Sequence, residues 1–163
     1  MMMIGIISDT HNNVELTQKA LETFRERGVE MILHTGDLTS PDMLKLFSGF
    51  QAHFVLGNED KDVEALNKQS ALLGFGSIEQ QYTFELKGKT FIMFHGTDVP
   101  LFRETVASGK YDYIIKGHTH FFENYFSQNS HVINPGALNK AYEFTIALLN
   151  TDSGKVEMIT IDN

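Results

Sequence analysis

No cysteine occurs among the 163 residues, so disulfide scaffolds, thiolate metal sites and thiol nucleophiles are all excluded. Any metal has to be held by His, Asp, Glu and Asn. Guanidinium groups are scarce, being confined to Arg25, Arg27 and Arg103, and 13 basic against 21 acidic residues give a formal charge of −8. Such a surface repels phosphate backbones, which makes nucleic acid an unexpected partner unless cations reverse the charge locally. Uninterrupted apolar runs are only a few residues long, so no transmembrane helix and no membrane partner is expected. Met1 to Ile7 has no basic n-region and runs straight into Ser8, Asp9 and Thr10. It reads as a first strand rather than a signal peptide, and a cytoplasmic location is the default. What remains is the composition of a folded protein, 42% hydrophobic and 21% charged, in a length that suits one domain over residues 1–163.

Met3 to Ile7 is a short, nearly continuous apolar run, the pattern of a strand buried on both faces. A helix is expected next: Asn12 with Glu15 resembles a capping box, Val14, Leu16, Ala20, Leu21 and Phe24 form a stripe, and Gly28 suits the stop. Met31 to Leu33 repeats the buried strand, and Ser40 with Pro41 opens a second helix carrying Met43, Leu44 and Phe47. Phe54 to Leu56 is the third strand. Strands alternating with helices argue for a parallel sheet of right-handed crossovers.

The second half differs. Tyr82 to Leu86 and Thr90 to Phe94 flank Lys87-Gly88-Lys89, an antiparallel hairpin signal. A short helix is expected around Leu101 to Ala107. Further strands are expected at Tyr111 to Lys116, Phe121 to Phe126, His131 to Asn134, Phe144 to Leu149 and Val156 to Ile161, with Asp152-Ser153-Gly154 turning the last pair. The expected fold is α/β, with two mixed β-sheets packed face to face as a sandwich flanked by helices in four α/β/β/α layers.

Five of these strands end in residues able to bind a hard or borderline metal: Asp9 with His11, then Asp37, Asn58, His95, and His118 with His120. Asp37, Asn58 and His118 each follow a glycine and His95 precedes one, which permits close backbone approach at the C-terminal sheet edge, where ligands bind in open α/β sheets. In an extended or tightly turned segment, residues i and i+2 point the same way. Asp9-Thr10-His11 and His118-Thr119-His120 can therefore each aim two ligands at one cavity while Thr10 and Thr119 face elsewhere. His34, His53 and His131 lack acidic or His partners nearby in sequence and read as packed, hydrogen-bonded histidines.

The ordered set Asp9-x-His11, Gly36-Asp37, Gly57-Asn58, His95-Gly96 and Gly117-His118-x-His120 resembles the calcineurin-like metallophosphoesterase superfamily. The trailing Asn134-Pro135-Gly136 is similar to a segment of its small bacterial and archaeal phosphodiesterases. The resemblance implies two divalent metal ions per chain. One would take Asp9, His11, Asp37 and His120; the other would take Asp37, Asn58, His95 and His118, with Asp37 bridging. It also implies Asp37, Asn58 and His95 as catalytic residues, and hydrolysis of small phosphodiesters by a metal-activated water. Cations roughly 4 Å apart can lower the pKa of a shared water and hold both the attacking and the departing oxygen. The mixed donor set favours Mn, with Ni, Fe or Zn as other candidates and Mg less suited.

The sequence departs from the family pattern in three places. A second Asp three residues after the Gly-Asp motif is absent. Glu59 follows Asn58 where many members carry a His that protonates the leaving group, and an ordinary glutamate is ionised at neutral pH. Ala137 stands where a hydroxyl residue is usual. Two other readings stay open: a noncatalytic scaffold, as in one retromer subunit of this fold, and a phosphomonoesterase or nucleotide pyrophosphohydrolase. A homo-oligomer is compatible with either.

Overall fold

The computed structural model describes residues 1–163. In chain order the elements are β1 (Met3–Ile7), α1 (Val14–Glu26), β2 (Val29–His34), a 3-10 helix (Pro41–Phe47), β3 (Gln51–Phe54), α2 (Val63–Leu73), β4 (Gln81–Leu86), β5 (Lys89–Phe94), α3 (Val99–Ser108), β6 (Tyr113–Ile115), β7 (Phe122–Ser127), β8 (Ser130–Pro135), β9 (Thr145–Asn150) and β10 (Val156–Thr160). They form two five-stranded sheets ordered β10-β9-β1-β2-β3 and β4-β5-β6-β8-β7. In the first, β1, β2 and β3 are parallel, and β9 runs antiparallel between β1 and the edge strand β10. In the second, β5, β6 and β8 are parallel between antiparallel edge strands. This is the mixed four-layer sandwich expected above.

Side-chain alternation explains the layering. Ile4 and Ile6 of β1 and Met31 and Leu33 of β2 meet Phe91, Met93, Ile115 and Ile133 between the sheets. Ile32, Ile146 and Leu148 point the other way, against Leu16, Ala20 and Phe24 of α1 and Met43, Leu44 and Phe47 of the 3-10 helix. Ile92, Ile114 and Val132 cover the outer face of the second sheet beneath Phe102 and Val106 of α3. At Gly5 the Phe24 ring lies where a Cβ would be, so the glycine lets α1 close on β1.

Most local expectations hold; Val14 at the start of α1 is exposed rather than part of the buried stripe, and five further features are adjusted. The α1 cap is Asn13, whose side chain accepts from Leu16 N, rather than Asn12. Asn12 N instead donates to Leu38 O, which keeps it in the preceding loop. The Ser40 cap and Pro41 start are present, but they open a 3-10 helix. β3 spans Gln51–Phe54 because its partner β2 ends at His34, to whose carbonyl Val55 N donates, and Val55 continues as an isolated bridge to Glu79. α2, capped by Asp62 and stopped by the left-handed Gly74, was not anticipated; it buries only Leu66 and Ser70, so its apolar stripe is too thin to read. The β4–β5 hairpin turns on Lys87-Gly88 alone, both at positive φ, as a two-residue primed turn requires.

Candidate metal centre

The C-terminal ends of β1, β2, β5 and β6 reach one edge of the sandwich, and the loops that leave them are laced together. Asp9 N donates to Gly36 O (3.0 Å), His11 N to Asp37 O (2.9 Å) and Gly117 N to His95 O (2.9 Å). Asp9, His11, Asp37, His118 and His120 all take positive φ. Non-glycine residues held there cost about 1 to 3 kcal/mol each, so surrounding structure must fix them. These tight left-handed turns, rather than extended alternation, put both members of each D-x-H and H-x-H pair on one side. The intervening threonines face away as expected: Thr10 Oγ1 lies 3.1 Å from His34 Nε2, and Thr119 Oγ1 accepts from Asn134 Nδ2 at 3.0 Å.

Two buried carboxylates organise the centre, and each divides its oxygens between protein and cavity. Asp9 Oδ2 accepts from Ser8 Oγ (2.5 Å) and His118 N (3.0 Å). Asp37 Oδ1 accepts from Glu59 N (2.8 Å). Their other oxygens face imidazoles. His11 Nε2 sits 3.7 Å from Asp9 Oδ1 and 3.4 Å from Asp37 Oδ2, while His95 Nε2 sits 3.8 and 3.2 Å from the same pair. His120 Nε2 lies 3.1 Å from Asp9 Oδ1.

The orientation of the rings separates candidate metal donors from packed histidines. His95 Nδ1 donates to Thr35 O (2.8 Å) and His120 Nδ1 to Lys140 O (3.1 Å), which leaves each Nε2 turned toward the carboxylates. A backbone carbonyl fixing one ring nitrogen is the usual support of a metal-binding imidazole. The Nε2 atoms of His11 and His95 are buried without any hydrogen-bond partner, a costly condition that a cation between them and the carboxylates would relieve. Asp9, His11 and His120 form one group whose donor atoms lie within 4.8 Å of one another, and Asp9, Asp37 and His95 form another. The donor set therefore fits divalent metal. His34, by contrast, uses both nitrogens internally, accepting from Gly36 N and pairing with Thr10. His53 stacks on Tyr82, and His131 pairs with Asn124 and stacks on Phe126.

Electrostatics follow from this packing. Burial pushes the Asp9 carboxyl upward, but His11, the His95 charge, Ser8 and the His118 amide outweigh it and hold it at about 2. Asp37 is lowered by His95 and the Glu59 amide despite its burial. His95 is raised because both carboxylates overcome its desolvation, and His11 is raised by Asp9 first. His118 is lowered by burial and by the neighbouring His95.

Five of the seven expected donors, Asp9, His11, Asp37, His95 and His120, converge directly. His118 packs edge-on against His95 with ring centroids 5.0 Å apart. Asn58 is exposed at the rim, where its Oδ1 accepts from Thr97 Oγ1 (3.3 Å) and its Nδ2 donates to Glu59 (3.0 Å). Two supporting residues had no role assigned from the sequence, although Asn134 belongs to the Asn134-Pro135-Gly136 segment noted there. Asp60 is buried and accepts from Asp37 N (2.8 Å), Gly57 N (2.7 Å) and Thr39 N (2.7 Å), so it ties the Asp37 turn to the Asn58 turn. Asn134 donates to Gly117 O (2.9 Å), bracing the loop of His118 and His120. Only the adjacency of Asp60 to Gly57-Asn58 hinted at its role, since bonds to backbone amides leave no pattern in sequence.

Comparison with known proteins agrees with this geometry. The calcineurin-like phosphoesterase superfamily domain matches residues 2–154. The chain is 34% identical over 146 residues to phosphodiesterase MJ0936 of Methanocaldococcus jannaschii, covering 83% of each chain. It superposes on the solved structure of an archaeal phosphodiesterase with TM-score 0.88 at 29% identity, covering 98% of this chain and 100% of the other. Zinc-bound Vps29 from Entamoeba histolytica, at TM-score 0.68, 16% identity and 99% coverage of both chains, shares the fold alone. With the family match spanning nearly the whole chain and the donor residues gathered at one sheet edge, this protein belongs to the calcineurin-like phosphoesterase superfamily.

Proposed function

We propose that the protein is a phosphodiesterase of small organic diesters that works with two divalent metal ions, manganese foremost, within a single domain over residues 1–163. One observation carries the reading: two buried imidazole nitrogens without hydrogen-bond partners face two buried carboxylates, each of which has one oxygen tied down and the other turned inward. When bound, the ions would supply Lewis acidity that lowers the pKa of a water and neutralises the phosphoryl oxygens.

The chain's own residues prepare that chemistry. Asp9, His11, Asp37 and His120 would hold one ion and Asp37, Asn58, His95 and His118 the other, with Asp37 common to both. Ser8 and the His118 amide orient Asp9, and the Glu59 amide and Asp60 orient Asp37. Two dications offset the acidic surface locally and so let a protein of charge −8 attract phosphate. Glu59 is exposed beside Asn58 and bonds it, which suits a rim carboxylate better than a proton donor. Without a donor, turnover would depend steeply on leaving-group acidity, favouring aryl over alkyl diesters.

The deciding experiment combines metal analysis with hydrolysis of bis(p-nitrophenyl) phosphate in manganese. About two ions per chain and measurable turnover are expected. A protein that binds no divalent ion and cleaves no activated diester would instead be a scaffold. Asp37→Asn should cost more metal and turnover than Asn58→Ala, because Asp37 is the proposed bridge. Retention of both ions and near-normal activity in Asp37→Asn would remove the assignment.

A further inference from the structure

Beside the centre lies a cavity of about 350 Å³, at the lower end of the range for small-molecule sites. His95 and Asn58 belong to its wall, so a phosphoryl group held at the centre has one side open to it. Leu56, Phe94 and Leu101 supply its apolar lining. Its polar groups are Gln80, Thr97 and Asp98, and no lysine or arginine lines it. Leu56, two residues past β3, and Phe94, the last residue of β5, are both buried in the sandwich.

The charge distribution is one-sided. Asp98 is the only carboxylate in the lining, and it caps α3 by accepting from Leu101 N (2.9 Å). That helix start offers an anion little, because Pro100 has no N–H, Leu101 N is taken by Asp98 Oδ1 and Phe102 N by Asp98 O. The nearest lysine in sequence, Lys61, is spent on Asn58 O (2.6 Å) and faces Glu59 outside the lining. On the opposite flank, exposed Lys140 is close enough to influence His11. An anionic substituent seated in the cavity would therefore meet a carboxylate and apolar walls with no side-chain cation to pair it, the metal ions being engaged by the reacting phosphoryl group.

We propose that this cavity seats one ester arm of the substrate and takes an uncharged, mainly apolar alcohol group, so that organic phosphodiesters enter and phosphoanhydrides with an anionic second arm are turned away. The proposal rests on the phosphodiesterase reading above and adds its substrate class. It makes Gln80 and Leu101 specificity determinants. Gln80 is exposed at the mouth and Leu101 is half-buried in the first turn of α3.

Two non-hydrolysable probes that differ only in the para substituent test it: 4-methylbenzylphosphonate and 4-carboxybenzylphosphonate, each titrated calorimetrically into the manganese-loaded protein. The methyl probe should bind at least tenfold tighter. Gln80→Lys, which places a cation at the mouth, should shrink that ratio to threefold or less, and Gln80→Glu should widen it. Leu101→Ala should weaken the methyl probe about fivefold. Equal affinities in the unaltered protein, or a ratio that neither Gln80 variant moves, would overturn the proposal. Hydrolysis of bis(p-nitrophenyl) phosphate, run alongside, separates the two readings. Turnover with no preference between the probes defeats the subsite alone, whereas absence of turnover with metal bound defeats the phosphodiesterase reading beneath it.

Discussion

Asp60 is the residue on which the two central turns depend. One oxygen accepts from Asp37 N and Gly57 N and the other from Thr39 N. Burial raises its pKa, and the three amides hold it partly back. Asp60→Asn would set an amide hydrogen against at least one of these donors, costing about 1 to 3 kcal/mol of stability. Manganese affinity should fall about 10- to 100-fold as Asp37 loses its alignment; a titration in which affinity is unchanged would deny Asp60 this positioning role. His34 makes a different test. Burial lowers its pKa from 6.5 to about 3, and a second proton on the ring would face Gly36 N–H, which its Nδ1 now accepts. The unfolded chain takes up that proton below pH 6.5 while the native protein does not. The contribution of neutral His34 is thus complete above pH 6.5 and declines toward about pH 3, by about 1.4 kcal/mol per pH unit. Urea unfolding of chelator-treated protein at pH 7.5 and 5.0 should show a fall larger by about 2 kcal/mol than in His34→Gln. Equal falls would mean that His34 titrates normally.

At the level of elements, the site depends on strand ends that approach more closely than side chains permit. A methyl group at Gly57 would overlap the Asp37 carboxylate, and one at Gly117 would overlap Ser8 Oγ and lie 2.8 Å from Asp9 Oδ2. Neither glycine has positive φ, so space and not backbone conformation demands them. Gly49 has positive φ but open space around it. Gly117→Ala should therefore lose metal and at least 100-fold in diester turnover, whereas Gly49→Ala should keep activity within twofold and lose roughly 1 kcal/mol of stability. Comparable activity in both variants would show that the crossing of β1 and β6 tolerates a side chain. The same logic makes α3 part of the site, since Phe102 packs over the buried Lys116 just before Gly117-His118.

For the whole molecule, charge and metal are coupled. Two buried carboxylates share one cavity with imidazoles whose nitrogens lack partners, so folding places these groups at a cost that bound cations would offset. Each manganese ion at about 100 times its Kd should add about 2.7 kcal/mol to stability, which corresponds to about 5 to 10 °C in Tm per ion at this size. Chelation should reverse the rise. A Tm indifferent to manganese would imply that the centre does not bind it in the native state. No helix is long and apolar enough to cross a membrane, in keeping with the short apolar runs of the sequence.

The seven proposed donors stood out in the sequence because each lies in a short segment after an apolar run, with a glycine beside Asp37, Asn58, His95 and His118, and buried strands announce themselves by composition. The two-sheet sandwich was legible for the same reason, together with the glycine hairpin at Lys87-Gly88. Helix α2 was not, because it buries too little to leave a stripe. The sequence already set His34 apart from His95, by the lack of acidic or His neighbours and by the family motif, but did not supply the physical reason, which is the partner of Nδ1: an amide donor at Gly36 for His34 and the Thr35 carbonyl for His95. Asp60 and the cavity beside His95 were likewise decided in three dimensions. Their roles consist of backbone amides and lining residues drawn from β3, β5 and α3 and the loops after them, which meet only when the sheets pack, so no spacing along the chain encodes them.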